Sequence, residues 1–138
     1  MLRIGREFYV GASARSNAAG IAQLAAAVTP CGYRVHAVAI QGCLHLKSAC
    51  TFIPPDILLV NADWVDPGVF GVLNVIRVDE REPYAANTLT VAGTTLVSAA
   101  FPQTRRRLGA AGVATRELEV SELQKAEAAL TCLSLLLE

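Results

Sequence analysis

Two short stretches of the sequence contain residue types that together could carry out nucleophilic catalysis. Cys132 lies in the apolar stretch Leu130-Thr131-Cys132-Leu133-Ser134, and His45 lies far upstream, beside Gly42-Cys43-Leu44. A cysteine thiolate attacks electrophilic carbon, and a histidine can donate and accept the protons that such a reaction moves. If the fold brings them together, Cys132 and His45 form a nucleophile and its acid/base partner. The alternatives are a small core side chain for Cys132 and a partly buried structural histidine for His45.

Other polar side chains are candidates for binding. Arg15 lies in a polar break before a predicted helix and could hold a substrate carboxylate by a bidentate bond, although a solvated surface arginine is the alternative. The Arg105–Arg107 run is predicted to be solvated surface. A metal site is disfavoured because the spacing of the nearby histidines and cysteines matches no zinc motif. We expect no metal and no cofactor, since nucleotide and dinucleotide motifs are also lacking.

Composition excludes several classes of partner. The 138 residues are 53% hydrophobic, which is ample for one core, and the 12 basic residues balance the 12 acidic ones. We therefore expect neither nucleic acid nor an anionic membrane as a partner. The charged residues near Met1 fit no signal or transit peptide, and the four cysteines fit free thiols in a reducing compartment. The sequence predicts a soluble, cytoplasmic protein.

The order of predicted elements repeats along the chain. Apolar spacing predicts a helix that begins after Asn17, its predicted N-cap, and ends before Gly32. Strands flank this helix, and the order strand, strand, helix, strand occurs three times. We predict ββαβ modules over approximately 2–40, 48–78 and 88–118, with a closing strand over 131–137. Such units must stack or close into a ring to bury their apolar faces.

Several motifs resemble the dimethylarginine dimethylaminohydrolases, within the larger group of guanidine-modifying enzymes that includes arginine deiminases and amidinotransferases. The similarity runs along nearly the whole chain and corresponds to the C-terminal part of those enzymes. The matching segments are, in order, Arg6–Gly11 with Ala14–Asn17, Leu44–Ser48, Tyr84–Asn87, and Ser121–Leu123 through Cys132. The histidine and cysteine motifs, in this order and separation, are the most specific of them.

This resemblance implies an α/β (α+β) pentein-type fold of ββαβ propeller modules, with about three of the usual five present in one partial domain, 1–138. It also implies an amidine hydrolase of the dimethylargininase type, which converts a methylated arginine to citrulline. Cys132 would attack the guanidinium carbon and His45 would serve as acid and base. Arg15 would hold the substrate carboxylate, and the backbone near Ala126 would meet the α-amino group.

The resemblance also implies that part of the site is missing. In the family, carboxylates that hold the guanidinium lie upstream of the segment matching Leu2–Gly5. Asp79, Glu80 and Glu82 are predicted to lie in an exposed loop and not to replace them. The expected partners are a small guanidine substrate, methylarginine or arginine, and an N-terminal partner fragment or another oligomer. The alternative function is that of a truncated, catalytically silent homologue. At Ala128 relatives commonly have glycine, which puts the substrate range in question.

Overall fold

The chain forms three sheets of three strands, each sheet drawn from a successive part of the sequence. The computed structural model describes residues 1–135. The strands are β1 Leu2–Ile4, β2 Glu7–Ala12, β3 Arg34–Ala39, β4 Cys50–Ile53, β5 Ile57–Val60, β6 Asn74–Arg77, β7 Leu89–Val91, β8 Thr94–Ser98 and β9 Thr115–Leu118. The helices are α1 Ala18–Val28, α2 Leu46–Ala49, α3 Pro102–Ala110 and α4 Ser121–Gln124, with 3-10 turns at Thr29–Cys31 and Pro67–Phe70.

Each sheet has the same topology. The first and second strands pair antiparallel through a short turn, and the second and third pair parallel. A parallel pair requires a crossover connection, and helical segments lie in all three crossovers: α1, the turn Pro67–Phe70, and α3. The order in each unit is therefore ββαβ, and the predicted α/β class with three such units is confirmed.

Local chemistry explains where the two long helices begin. The Asn17 side chain accepts a hydrogen bond from the Gly20 N–H at 2.9 Å, which caps α1 as the sequence predicts. Proline is favoured in the first turn of a helix because it lacks an N–H, and Pro102 begins α3. The chain leaves α1 through Gly32, whose φ of 79° is a left-handed conformation that glycine adopts at low cost.

The buried apolar side chains form two clusters, and the second sheet contributes to both. Leu58 and Val60 of β5 pack in the first cluster, whereas Leu59 points to the opposite face and packs in the second. This division follows from the two-residue side-chain period of a strand. Leu46 and Ala49 of α2 are also buried in the first cluster, so this short helix is attached firmly to the core.

The structure corrects two expectations. Asp79 and Glu82 are buried, although the sequence predicted an exposed charged loop; only the neighbouring Glu80 is exposed. Glu82 accepts backbone N–H groups of α3, and Asp79 binds Arg107, so each charge has partners that offset the cost of burial. The predicted closing strand over 131–137 is not seen in its described part, 131–135, which begins as a turn. Its remaining residues lie outside the described range.

The Arg105–Arg107 run lies on the surface of α3, as predicted, yet two of its members have partners. Arg107 donates to Asp79 and to the backbone carbonyls of Arg77 and Val78. Arg105 forms an ion pair with Glu117 on β9. Within residues 1–135, no helix is long and apolar enough to cross a membrane.

Candidate active site

His45 lies where a loop enters a helix that is anchored in the core. Its backbone is extended, and its carbonyl accepts the Ser48 N–H at 2.9 Å in the first turn of α2. The next residue, Leu46, is 1% exposed, whereas His45 itself is exposed. The buried neighbour fixes the backbone, and the imidazole is left on the surface where a ligand can reach it.

Two contacts hold the loop that precedes His45. The Ser13 hydroxyl donates to the Leu44 carbonyl at 3.1 Å, which ties the loop to the turn after β2. Gly42 adopts a φ of 70° and lies so close to Trp64 that a Cβ atom would be 2.4 Å from the indole nitrogen. Only glycine satisfies both the backbone conformation and this contact. The loop is therefore held on both sides.

Cys132 lies in a turn that is also anchored by a buried leucine. Leu130 is 6% exposed, and the N–H groups of Cys132 and Leu133 both donate to the Ala129 carbonyl, at 3.0 and 3.2 Å. The Ser134 hydroxyl donates to the Leu130 carbonyl at 2.7 Å and closes the turn. Cys132 is exposed and has no disulfide partner. The alternative of a core cysteine is thus wrong.

The two candidate residues line the same cavity. Its volume is about 210 Å³, and its wall is formed by β2, the His45 loop with α2, and the Cys132 turn. The lining residues are Met1, Val10, Gly11, Ser16, Leu44, His45, Leu46, Lys47, Ser48, Asn87, Thr131 and Cys132. The fold therefore brings together the thiol and the imidazole that the sequence singled out, and it does so at an opening of the size of a small ligand group.

Arg15 and Ala126 are not part of this wall. Arg15 lies in the turn between β2 and α1, where its N–H donates to the Ser13 hydroxyl at 3.2 Å, and its side chain is exposed. The adjacent Ser16 does line the cavity, so Arg15 lies beside the rim. Ala126 is exposed in the loop after α4, and its N–H donates to the Leu123 carbonyl at 3.0 Å.

Asn87 is a residue of the site to which the sequence analysis gave no role. It is 7% exposed and lines the cavity between the two candidate residues. Its amide donates to the Lys47 carbonyl and to the Thr131 hydroxyl, both at 3.0 Å, and accepts the Thr131 N–H at 3.1 Å. The only signal for it in the sequence was the Ala-Ala-Asn segment, which was noted as a similarity alone.

The described residues that line the cavity include a basic side chain but no acidic one. Lys47 is a cation in its wall, and among the described residues that line it there is no aspartate or glutamate. The two buried carboxylates nearest along the chain to Asn87 are committed elsewhere: Asp79 to Arg107, and Glu82 to α3. The backbone and side chain of Arg81 hold the pKa of Asp79 below its ordinary value.

Neither of two other features provides a site for chemistry of this kind. A larger and more open concavity of about 550 Å³ is lined by Gln41, Trp64, Asp66 and Arg77, but neither a histidine nor a thiol or hydroxyl faces it. Within residues 1–135, no three side chains of the metal-ligand types lie close enough together to hold an ion. Of these two cavities, the smaller one is lined by a nucleophilic side chain and the larger one is not.

The comparisons with known proteins point to one group of enzymes. No protein-family model matches the sequence. The chain is 32% identical over 135 residues to the N(G),N(G)-dimethylarginine dimethylaminohydrolase of Pseudomonas aeruginosa, covering 98% of this chain and 53% of that protein. It is 37% identical over 136 residues to the enzyme of the same name from Streptomyces coelicolor, covering 97% of this chain and 51% of that one.

Solved structures agree with the sequence comparison. A dimethylarginine dimethylaminohydrolase from Pseudomonas aeruginosa, a Cys-to-Ser mutant complexed with citrulline, is 30% identical with a TM-score of 0.87, covering 95% of this chain and 51% of that one. A His-to-Gly form of a dimethylarginine dimethylaminohydrolase, an adduct with S-methyl-L-thiocitrulline, has the same identity and TM-score and covers 95% and 52%. The predicted resemblance and pentein-type fold are confirmed, and the chain spans about half the length of the relatives it matches.

Proposed function

We propose that this chain, a homologue of the dimethylarginine dimethylaminohydrolases over about half of their length, carries the reactive half of an amidine hydrolase. The proposed reaction converts a methylated arginine to citrulline and a methylamine. The observation that carries the proposal is the shared cavity of about 210 Å³ that His45 and Cys132 both line. A thiol and an imidazole at one opening are the parts required for covalent catalysis at a guanidinium carbon.

The first half of the proposed reaction forms a covalent intermediate. The Cys132 sulfur, as a thiolate, attacks the guanidinium carbon and gives a tetrahedral adduct. The carbon–nitrogen bond to the methylated nitrogen then breaks, and His45 donates the proton that lets this nitrogen leave as a neutral amine. The product on the enzyme is a thiouronium at Cys132. An amine is a poor leaving group without that proton, so His45 contributes to the rate of this half directly.

The second half releases the product. His45, now neutral, accepts a proton from water as the water oxygen attacks the thiouronium carbon. The carbon–sulfur bond breaks, and the thiolate of Cys132 is restored. The second proton of the former water passes to solvent, and citrulline leaves with the new oxygen in its ureido group. The same imidazole therefore acts as acid and then as base. It must remain near both the carbon and the solvent, and the exposure of His45 permits this.

Two further residues are assigned to the amino-acid end of the substrate. We assign Arg15 to the α-carboxylate because its side chain is exposed beside the cavity rim and a guanidinium matches a carboxylate with two parallel hydrogen bonds. We assign the backbone near Ala126 to the α-amino group. An Arg15→Lys variant should raise KM for methylarginine much more than kcat, and it should not affect a methylguanidine that lacks the carboxylate.

The relatives support the assignment of the reactive pair. The two solved structures alter a cysteine and a histidine, and they contain citrulline and a thiocitrulline adduct. The numbers of those two altered positions differ by the same interval as the numbers of His45 and Cys132. This agreement supports the same pair of roles in this chain.

One observation favours a second candidate function. The described residues lining the cavity provide no carboxylate, whereas a bound guanidinium requires one to hold its charge and its plane. The Lys47 ammonium in the wall increases the need for a carboxylate, because it repels a positively charged guanidinium. The second candidate is a truncated, catalytically silent homologue that acts, if at all, through association with an N-terminal half or another subunit.

Citrulline formation distinguishes the two candidates. The purified chain is incubated with dimethylarginine, alone and with the remaining half of the Pseudomonas aeruginosa relative expressed as a separate polypeptide. Citrulline that appears only in the mixture, and is abolished by Cys132→Ser in this chain, supports the proposed reaction with acids from a partner. Citrulline in neither sample, or citrulline that does not depend on Cys132, contradicts it and leaves the silent homologue.

A further inference from the structure

The side chain of Asn87 joins the two segments that carry His45 and Cys132. Its NH₂ group donates one hydrogen bond to the Lys47 carbonyl and one to the Thr131 hydroxyl, both at 3.0 Å. Its oxygen accepts the Thr131 N–H at 3.1 Å. Both of its donor hydrogens and its acceptor are thus used, in a side chain that is 7% exposed. The amide is committed to holding these two segments.

The partners of Asn87 are close to the reactive groups along the chain. Lys47 follows His45 by two residues, since His45 is the N-cap of α2 and Lys47 lies in its first turn. Thr131 directly precedes Cys132, and it is held by its backbone and by its side chain, which fixes its orientation as well as its position. A single planar amide therefore sets the distance between the backbone that carries the imidazole and the backbone that carries the thiol.

We propose that Asn87 is a positioning residue that holds His45 and Cys132 in the geometry needed for proton transfer, an inference that rests on the proposed function. Proton transfer requires heavy atoms about 2.6–3.2 Å apart, and a displacement of about 1 Å can slow a reaction by about 100-fold. The two segments are brought together across 40 and 44 positions of sequence. Asn87 maintains this approach and takes no part in the bond changes.

Substitution of Asn87 by aspartate tests the NH₂ donor of the amide separately from its oxygen acceptor. Asn87→Asp keeps the shape and the acceptor for the Thr131 N–H, but it replaces the NH₂ donor by an oxygen that faces the Lys47 carbonyl, which has no proton to give. The two segments should move apart at that point. We expect alkylation of Cys132 by chloroacetamidine to slow by about tenfold or more. Alkylation of the exposed Cys31, measured in the same sample by peptide mass spectrometry, should be unchanged.

The matched control is another buried asparagine. Asn61 is 5% exposed, and its side chain donates to the Pro83 carbonyl at 3.0 Å and accepts the Asp63 N–H at 3.1 Å, so the side chain bonds to neither reactive segment. Its backbone N–H donates to the Ala49 carbonyl at the end of α2, and the substitution keeps that bond. Asn61→Asp should lower thermal stability to a similar degree and leave the ratio of Cys132 to Cys31 alkylation at the wild-type value.

Substitutions at Thr131 test the hydrogen bonds between Asn87 and Thr131 without altering Asn87 itself. Thr131→Val keeps the shape and the backbone N–H but removes the hydroxyl that accepts from the amide. Like Asn87→Asp, Thr131→Val should slow Cys132 alkylation, here by about threefold. Thr131→Ser restores the hydroxyl and should restore the rate. These variants keep the proposal testable if Asn87→Asp fails to fold.

Non-additivity distinguishes positioning from general stabilisation. If Asn87 acts by aligning the pair, its substitution should have little further effect once His45 is removed. We expect Asn87→Asp to slow Cys132 alkylation less than about twofold in a His45→Ala background. An equal factor in both backgrounds, or no loss in the wild-type background, overturns the proposal. Cys132 alkylation that is no faster than that of Cys31 and indifferent to His45→Ala overturns the proposed function as well, so the two failures are distinguishable.

Discussion

The buried carboxylate of Glu82 allows a quantitative test of how the site segment is anchored. Glu82 accepts the N–H groups of Gln103 and Thr104 at 2.9 and 2.7 Å, and thereby caps α3 and fastens the stretch that leads to Asn87. We predict that Glu82→Ala leaves both N–H groups without these partners. A lost partner at a buried N–H costs about 1–3 kcal/mol, and water that enters the vacated space keeps each at the lower end.

The expected loss in the free energy of unfolding for Glu82→Ala is therefore about 2–4 kcal/mol. For a chain of this length each kcal/mol lowers Tm by roughly 3–4 °C, so Tm should fall by roughly 6–16 °C. Urea unfolding monitored by circular dichroism measures the free energy, and a thermal scan measures Tm. The matched control is Glu80→Ala, which removes an exposed carboxylate of the same segment and should change stability by less than about 0.5 kcal/mol. Equal effects of the two substitutions would refute the anchoring role of Glu82.

Three further predictions concern acid stability, thiol reactivity and the histidine loop. Side-chain hydrogen bonds with Arg34 and His36 of β3 lower the pKa of Glu7 from 4.5 to about 2. Its contribution is present above the ordinary pKa and lost as the pH falls toward 2, so Glu7→Gln should flatten the dependence of Tm on pH in that interval; an unchanged slope contradicts this. Burial raises the pKa of Cys50 to about 12, so iodoacetamide at neutral pH should label Cys31 and leave Cys50 unlabelled. Gly42→Ala should lower Tm and slow Cys132 labelling, because its Cβ would collide with Trp64; unchanged labelling would show that the loop tolerates the shift.

Residue patterns along the chain predicted the repeating units well because their signals are local. The Asn17 cap is a bond between residues three positions apart, and the apolar residues of β5 are consecutive in the sequence. The three-residue spacing of a cap and the two-residue period of a strand both lie within a short window of sequence. Such features are visible without knowledge of the rest of the fold.

The environment of the charged segment could not be predicted in the same way. Asp79 and Glu82 are surrounded by polar residues in the sequence, which favours an exposed loop. Their burial depends on α3, whose N-terminal backbone groups lie more than 20 positions away. The role of Asn87 was missed for the same reason, because its partners are 40 and 44 positions distant. Long-range hydrogen bonds leave no periodic signal.

The candidate site could be predicted from the sequence only in part. Cys132 and His45 were selected by residue type and by resemblance, and the cavity that they share is a property of the fold alone. Arg15 was selected in the same way, but its exposed side chain lies beside the rim, so its function depends on the position of a bound substrate. Residue type indicates what chemistry is available, and only the fold shows which groups can act together.

The most direct test of the account is to trap the covalent intermediate on Cys132. S-methyl-L-thiocitrulline is offered to the His45→Gly variant, mixed with the remaining half of the Pseudomonas aeruginosa relative. Methanethiol leaves without a strong acid, so the thiouronium should form, and its hydrolysis should stall because no imidazole activates water. Mass spectrometry should then find a stable adduct on Cys132, and none in Cys132→Ser. An adduct on Cys31, or no adduct on Cys132 in either the wild-type or the His45→Gly chain, would contradict the central claim that these two residues form the reactive pair.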